Sequence, residues 1–385
     1  MKNYKLPLQF LFKKQMDAVR QRKRTWLRLF SLLAMVGLIS SMSACKDDDN
    51  DTTSGITPKG PKPAWGPTIK PEMQRVIEKH DELTKGVMLT SLTPQEARKA
   101  PTVTDAVMAV MQENNIPMPT PKVDTMGHTI PVPGGSIHAR SYRPKDMTGA
   151  LPAIVYYHGG GWVIATINTY NSSAQALAEQ TGAVVVSVEY RKGPEFKFPT
   201  AHEDAYAAYM WVRQNATTLN INPAKIAVAG ESAGGGLAAA VCLMARDNKV
   251  TMPVHQLLVY PIANNDTNTE SYNKYAEAKP LSKGLMQWFF TNYFRTPADG
   301  DSPWVSLVDV ADLRNLPPAT IINAEIDPLQ TEGQQLAAKL QLAGVPVTTK
   351  VYEGVTHEFF GMATVVPQAK EAQKMAADAL KAAFQ

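Results

Sequence analysis

Two cysteines, Cys45 and Cys242, are all that the 385 residues contain. So little thiol excludes a disulfide framework. Histidine is also scarce, at seven residues, and no His/Cys/Asp cluster has metal-ligand spacing, so no metal is expected. The glycine runs match neither a dinucleotide nor a phosphate-loop pattern, and no cofactor is expected. There is no internal repeat. Positive charge is scarce over most of the chain, because residues 1–44 carry a net +8 of a total of +4 and leave −4 for the rest. Without a basic patch, a nucleic-acid partner loses its main electrostatic support. What is present is the profile of a folded protein with ample core, 44% hydrophobic and 19% charged, sized for one large domain or one domain plus a cap.

The start differs in kind. Lys2 to Arg28 holds nine basic residues and one acid, Asp17, and is followed by the apolar run Leu29 to Ile39 and by Ser40-Ser41-Met42-Ser43-Ala44-Cys45. That run is too short for a comfortable membrane span and ends in small residues, as a signal peptide does. Met42-Ser43-Ala44-Cys45 resembles a bacterial lipobox, with Met42 in place of the more usual Leu. Residues 1–44 are therefore expected to be a lipoprotein signal peptide and Cys45 its lipidated residue, with Met16 an alternative start. A stop-transfer anchor with Cys45 incidental is the competing reading. Lys46 and the acids after it, then a Gly/Pro/Thr/Lys-rich stretch, make residues 45–68 an expected solvated tether. The address that follows is an exported, membrane-anchored lipoprotein, periplasmic or on the outer membrane or cell surface. With Cys45 lipidated, Cys242 is a lone buried thiol.

Helical patterns come first in the remaining chain, over Pro71 to Gly86 and Thr93 to Asn114, with Pro101 expected to split the second. Thr129 to Val132 and Ser136 to Tyr142 flank Pro133-Gly134-Gly135 as a hairpin. From Leu151 short apolar runs alternate with helical patterns: Ala153–Tyr157, Ala183–Glu189, Ile226–Ala229, Gln256–Tyr260, Ala319–Asn323 and Thr348–Tyr352. Such alternation predicts an α/β fold, a mostly parallel twisted sheet covered by helices on both faces. Ligands of such sheets bind beyond the carboxyl ends of the strands. The alternation breaks between Asn264 and Leu316, where an aromatic-rich segment should contain a helix beginning near Ser282. Segments 69–118 and 264–300 are expected to form a helical cap on a domain spanning 69–385; an ordinary helix on the sheet's flank is the alternative for the second.

The chemistry centres on Gly230-Glu231-Ser232-Ala233-Gly234, set between a strand pattern and a small-residue helical pattern. A sharp strand-to-helix turn of this kind lifts the serine hydroxyl clear of the sheet, which makes Ser232 the candidate nucleophile. After the strand Ala153–Tyr157 comes His158-Gly159-Gly160-Gly161-Trp162. Three successive glycines cost chain entropy, and a backbone that must turn tightly and present bare amides would explain them. The amides of Gly160, Gly161 and Ala233 are the candidate oxyanion hole, although an ordinary strand-to-loop turn could hold the same run. His158 is read as a brace for this loop. A serine needs a base, and the base an acid to orient it. Of the histidines after Ser232, His255 begins a strand, at the wrong end of the sheet, whereas His357 follows one. Asp327 is the candidate acid by the same argument, with Glu325 competing.

These residues together, His158-Gly159-Gly160-Gly161-Trp162, Glu189-Tyr190-Arg191-Lys192-Gly193-Pro194-Glu195, Gly230-Glu231-Ser232-Ala233-Gly234-Gly235, Asp327-Pro328-Leu329 and the His357 loop, resemble the hormone-sensitive-lipase-like branch of the α/β-hydrolases. The resemblance covers about residues 70–385. It implies an α/β-hydrolase fold and a serine carboxylesterase with Ser232 as nucleophile, Asp327 as acid and His357 as base. Departures are Lys192-Gly193 where the family often has Leu-Ala, Glu231 where it has Asp, and Glu358 where it has Gly beside the base. The expected partner is a small-molecule ester with a short to medium acyl chain, acyl groups carried on carbohydrate being among the candidates. Trp162, Trp288 and Phe289 are candidate pocket walls, their other reading being lid core. A non-catalytic surface lipoprotein on the same scaffold, or an amidase or peptidase with the same triad, are the rival readings.

Overall fold

The computed structural model describes residues 55–385, so the expected signal peptide, Met16, Cys45 and the first part of the tether lie outside the described residues. Among the described residues, three α-helices precede the sheet: α1 (Pro71–Thr84), α2 (Pro94–Ala97) and α3 (Val103–Glu113). Pro101 does separate the last two. Thr93 and Thr102 each close a capping box, with Glu96 and Asp105, which satisfies the free amides at the start of α2 and α3. Arg75 of α1 donates to Glu113 of α3 at 2.7 Å, and Lys79 pairs with the same carboxylate, so the two helices are tied by charge as well as by their apolar faces.

The expected tether is corrected over its last part. Ile56 is buried in one of the two cores, the amides of Lys59 and Gly60 donate to Glu78 at 2.7 and 3.0 Å, and Thr68 Oγ1 donates to Glu325 at 2.9 Å. Composition counts side chains that can build a core; here backbone amides and one isoleucine dock on a surface built by other segments.

The hairpin β1 (Val123–Val132) and β2 (Gly135–Pro144) leads into β3 (Leu151–Tyr157), α4 (Asn171–Thr181), β4 (Val184–Glu189), α5 (Thr200–Gln214), β5 (Ile221–Glu231), α6 (Ala233–Asp247) and β6 (Gln256–Val259). Two helices are inserted next, α7 (Glu270–Lys274) and α8 (Lys283–Tyr293), the second capped by Ser282 as expected. The chain closes with β7 (Ala319–Ile326), α9 (Gln330–Leu342), β8 (Val347–Thr356) and α10 (Pro367–Ala383). The sheet has eight strands in the order β1-β2-β4-β3-β5-β6-β7-β8. β2 pairs antiparallel with β1 and β4, and all pairs from β4 to β8 are parallel.

A parallel sheet covered on both faces needs apolar side chains in both directions, and β3 shows why its run is unbroken. Ala153, Val155 and Tyr157 pack into one core with residues of α5, α6 and α9, while Ile154 and Tyr156 pack into the other with residues of α4 and α10. Cys242 of α6 is fully buried. The carboxyl ends of β3, β5, β7 and β8 then emerge at the same edge of the sheet, with β6 between β5 and β7, and the chemistry gathers there. No helix among the described residues is long and apolar enough to cross a membrane.

Candidate active site

β5 runs to Glu231 and α6 begins at Ala233, so Ser232 must reverse the chain alone. It does so at φ 57°, ψ −120°, a conformation that non-glycine residues rarely adopt, held by its amide donating to Val259 O at 2.9 Å. Strand and helix are close enough that a Cβ on Gly234 would lie 2.0 Å from Tyr157 O. The small residues of this segment are therefore demanded by backbone packing, and the reward is a serine hydroxyl aimed above the sheet.

Ser232 Oγ lies 2.8 Å from His357 Nε2, and His357 Nδ1 lies 2.7 Å from Asp327 Oδ2. Asp327 follows β7 and His357 follows β8, each one step beyond a strand. The other oxygen of Asp327 accepts the amide of Leu329 at 2.9 Å, which fixes the carboxylate plane. Burial by itself pushes the His357 pKa down, but the charge and hydrogen bond of Asp327, joined by the charges of Glu358 and Glu231, outweigh it and leave the imidazole above its ordinary value. An imidazole so placed can take a proton from the serine and be stabilised once charged. Glu325, the competing acid, is elsewhere: it accepts from Thr68 and from the Gly354 amide, beside the point where β8 carries extra residues in its ladder with β7. His255 bonds Thr320 at 2.9 Å at the opposite end of the sheet.

Gly160 and Gly161 both take positive φ, 98° and 58°, and line the same cavity as Ser232 and His357. Among the described residues their amides have no protein acceptor. Ala233, first residue of α6, has no intrahelical acceptor for its own amide either. His158 braces this loop from below: its ring stacks on Tyr190 at 4.3 Å, and the Tyr190 hydroxyl donates to the carbonyls of His158 and Gly159 at 2.9 and 3.2 Å. Burial drives the His158 pKa down to about 4, so it braces as a neutral ring.

The cavity measures about 190 Å³, and Leu89 from the N-terminal helical segment faces Leu281, Leu285 and Phe289 from the α7–α8 insertion across it. Of the three aromatics expected to wall it, Phe289 does. Trp162 does not: at φ 59° its backbone turns the indole into the core, where it stacks on Tyr293 at 4.9 Å. Trp288 does not line the cavity either, because one residue along a helix is a rotation of about 100° away from Phe289. A residue type that fits a pocket fits a core equally well, so only packing separates the two.

Three further features lacked a clear sequence signal. Arg98, just after α2, donates to Val163 O at 2.8 Å and Gly193 O at 2.5 Å and pairs with Glu195 at 2.7 Å, clamping the helical segment to the loops beside the cavity. Glu231 is buried under the hydroxyls of Tyr156, at 2.5 Å, and Tyr260, and burial lifts its pKa to about 7 against the pull of those hydrogen bonds. Glu358, noticed only as a departure beside the base, accepts from the Tyr170 hydroxyl and is likewise raised by burial. Among the described residues, no group of three His, Cys, Asp or Glu side chains is arranged to hold a metal ion.

A family model described as the alpha/beta hydrolase fold matches residues 154–361. Carboxylesterase NlhH of Mycobacterium tuberculosis is 39% identical over 251 residues, covering 64% of this chain and 79% of the relative. The ethyl acetate hydrolase of Pseudomonas putida is 34% identical over 258 residues, covering 66% and 79%. Among solved structures, a hyperthermophilic esterase from the archaeon Pyrobaculum calidifontis superposes with a TM-score of 0.70 at 40% identity, over 77% of this chain and 95% of that one.

Proposed function

The chain belongs to the α/β-hydrolase family, in its hormone-sensitive-lipase-like branch, and is a carboxylic ester hydrolase; from that premise we propose that it works as a serine esterase through an acyl-enzyme. Ser232 attacks the ester carbonyl as His357 takes its proton, and the amides of Gly160, Gly161 and Ala233 receive the negative charge that develops on the carbonyl oxygen. His357 then hands the proton to the departing alkoxide, and a water molecule repeats the sequence on the acyl-enzyme. The observation that carries this reading is the unbroken Ser232–His357–Asp327 hydrogen-bond chain, which needs no rearrangement to begin. A cavity of about 190 Å³ is small beside the several hundred Å³ of typical ligand sites, which supports a short to medium acyl chain. Acyl groups carried on carbohydrate are the proposed natural esters, on the strength of the expected exported address alone.

A p-nitrophenyl alkylphosphonate tests the nucleophile, since it reacts once and stays bound. One equivalent should attach to the peptide containing Ser232 and none to Ser232→Ala; attachment elsewhere, with hydrolysis intact, would remove Ser232 from the mechanism. For the address, the basic leader and the Ala44-Cys45 junction support a lipid-anchored, exported protein. Radiolabelled palmitate should enter the bacterial protein and be lost in Cys45→Ala; label that persists in that variant would overturn the anchor.

A further inference from the structure

Beside the catalytic cavity lies a second one of about 620 Å³. The two share Val103, Thr104, Thr169, Tyr170 and Glu358 as lining residues, so what parts them is a wall one side chain thick. Its middle is the hydrogen bond from the Tyr170 hydroxyl to the Glu358 carboxyl. Beyond it one side is apolar, with Val107 and Met111 of α3 joined by Met362, while Met108 and Met118 stand partly exposed at its mouth and the side formed by α4 carries polar groups such as Gln175 and Glu179. Methionine is unbranched and adaptable, and a cluster of it makes a surface that can close on chains of varied length.

Glu358 is an expensive residue for this position. It sits at φ 72°, a backbone conformation that glycine adopts freely and other side chains resist, and it is half-buried between the two cavities. It hydrogen-bonds no member of the triad, since His357 turns its two nitrogens to Asp327 and Ser232, and its charge reaches the imidazole only through space. Its one strong partner is Tyr170, whose hydroxyl in turn rests over Gly159, where a Cβ would lie only 2.2 Å from it. A strained, half-buried side chain whose one hydrogen bond lies between two cavities is accounted for by the wall it forms.

We propose that the Tyr170–Glu358 pair is a movable partition and that the methionine-lined cavity behind it binds the alkyl part of the ester that lies farthest from the scissile carbonyl. The inference rests on the esterase reading above. With the pair closed, the small cavity selects short esters; with it open, a longer alkyl chain passes between the two side chains and lies against α3. Each methylene buried there is worth about fourfold in kcat/KM. The alkyl chain can belong to the acyl group or to the alcohol, and two substrate series tell these apart.

Rates are measured on p-nitrophenyl acetate through dodecanoate, and on ethyl through octyl acetate, for wild type and four variants. Met108→Trp fills the second cavity and should lower the long-to-short ratio of kcat/KM by tenfold or more. Glu358→Gly removes the partition and should raise that ratio at least tenfold, chiefly through KM. Tyr170→Phe, which deletes only the hydroxyl, should move it the same way should the glycine variant fold poorly. Glu358→Gln keeps an acceptor for Tyr170 and should retain the wild-type long-to-short ratio, while loss of its charge beside His357 lowers the rates on all esters together. A response confined to one series assigns the chain to acyl group or alcohol. Ratios equal to wild type in both series for Met108→Trp, Glu358→Gly and Tyr170→Phe overturn the proposal, whereas wild-type hydrolysis by Ser232→Ala would overturn the esterase reading instead.

Discussion

Ser232→Ala is expected to lower kcat on p-nitrophenyl butyrate by about 10⁴-fold or more, because the hydroxyl removed is the proposed acyl-enzyme nucleophile and the cavity hydroxyl that bonds the His357 imidazole. Its neighbours act only through it. His357→Ala leaves a serine without a base, and the double variant removes a pair that already works as a unit, so the three variants should fall to similar residual rates. What persists should be the part owed to bound geometry and to the free amides of Gly160 and Gly161. The hydroxyl is small, buried and on a turn whose backbone is held by Val259 and by Gly236, so the alanine variant should unfold at nearly the wild-type temperature. A residual rate within tenfold of wild type would mean that the hydrogen-bond chain is structural and that hydrolysis happens elsewhere.

The second large effect is expected at Gly161. A Cβ built there would lie 2.1 Å from Phe289 Cγ, inside the ring's own volume, and the residue sits at φ 58°, which costs an alanine about 1–2 kcal/mol before any collision is counted. Gly161→Ala must therefore push either the loop off its line or α8 off the cavity. Loss of one aligned oxyanion donor is worth about 10²- to 10³-fold in kcat, and that is the loss expected. Adding Phe289→Ala removes the collision but not the backbone strain, so the double variant should recover part of the rate on short esters. The pair also separates two explanations. Recovery means the amide was displaced by overlap, while a double variant no faster than Gly161→Ala means the backbone conformation alone sets the donor. Near-wild-type kcat in Gly161→Ala would take this amide out of the reaction.

Much of the site was legible because its parts are local. A serine between close-packed glycines, three glycines after an apolar strand, and a histidine and an aspartate one step beyond strands are all patterns within a few residues. Chain order then chose His357 over His255, and the sheet put them at opposite ends. The choice of Asp327 over Glu325 rested on strand position, and the glutamate is engaged elsewhere, by the Thr68 hydroxyl and the Gly354 amide. The pocket walls were less legible. Trp162, Trp288 and Phe289 are equally good as core and as cavity lining, and one helical rotation or one left-handed residue decides between those fates.

Sequence alone determined the layered α/β architecture and pointed to ester hydrolysis, since both are written in short-range periodicity and in residue types that few other roles would require together. Tertiary structure alone decided what the catalytic groups sit among. Tyr170 and Glu358 meet across 188 positions of chain, and Tyr156 meets Glu231 across 75, and nothing near either residue announces the other. Such contacts depend on how strands pair and helices pack over them. A local pattern records which side chains a segment must bury, whereas the identity of the neighbour is fixed only when separate segments share the same space.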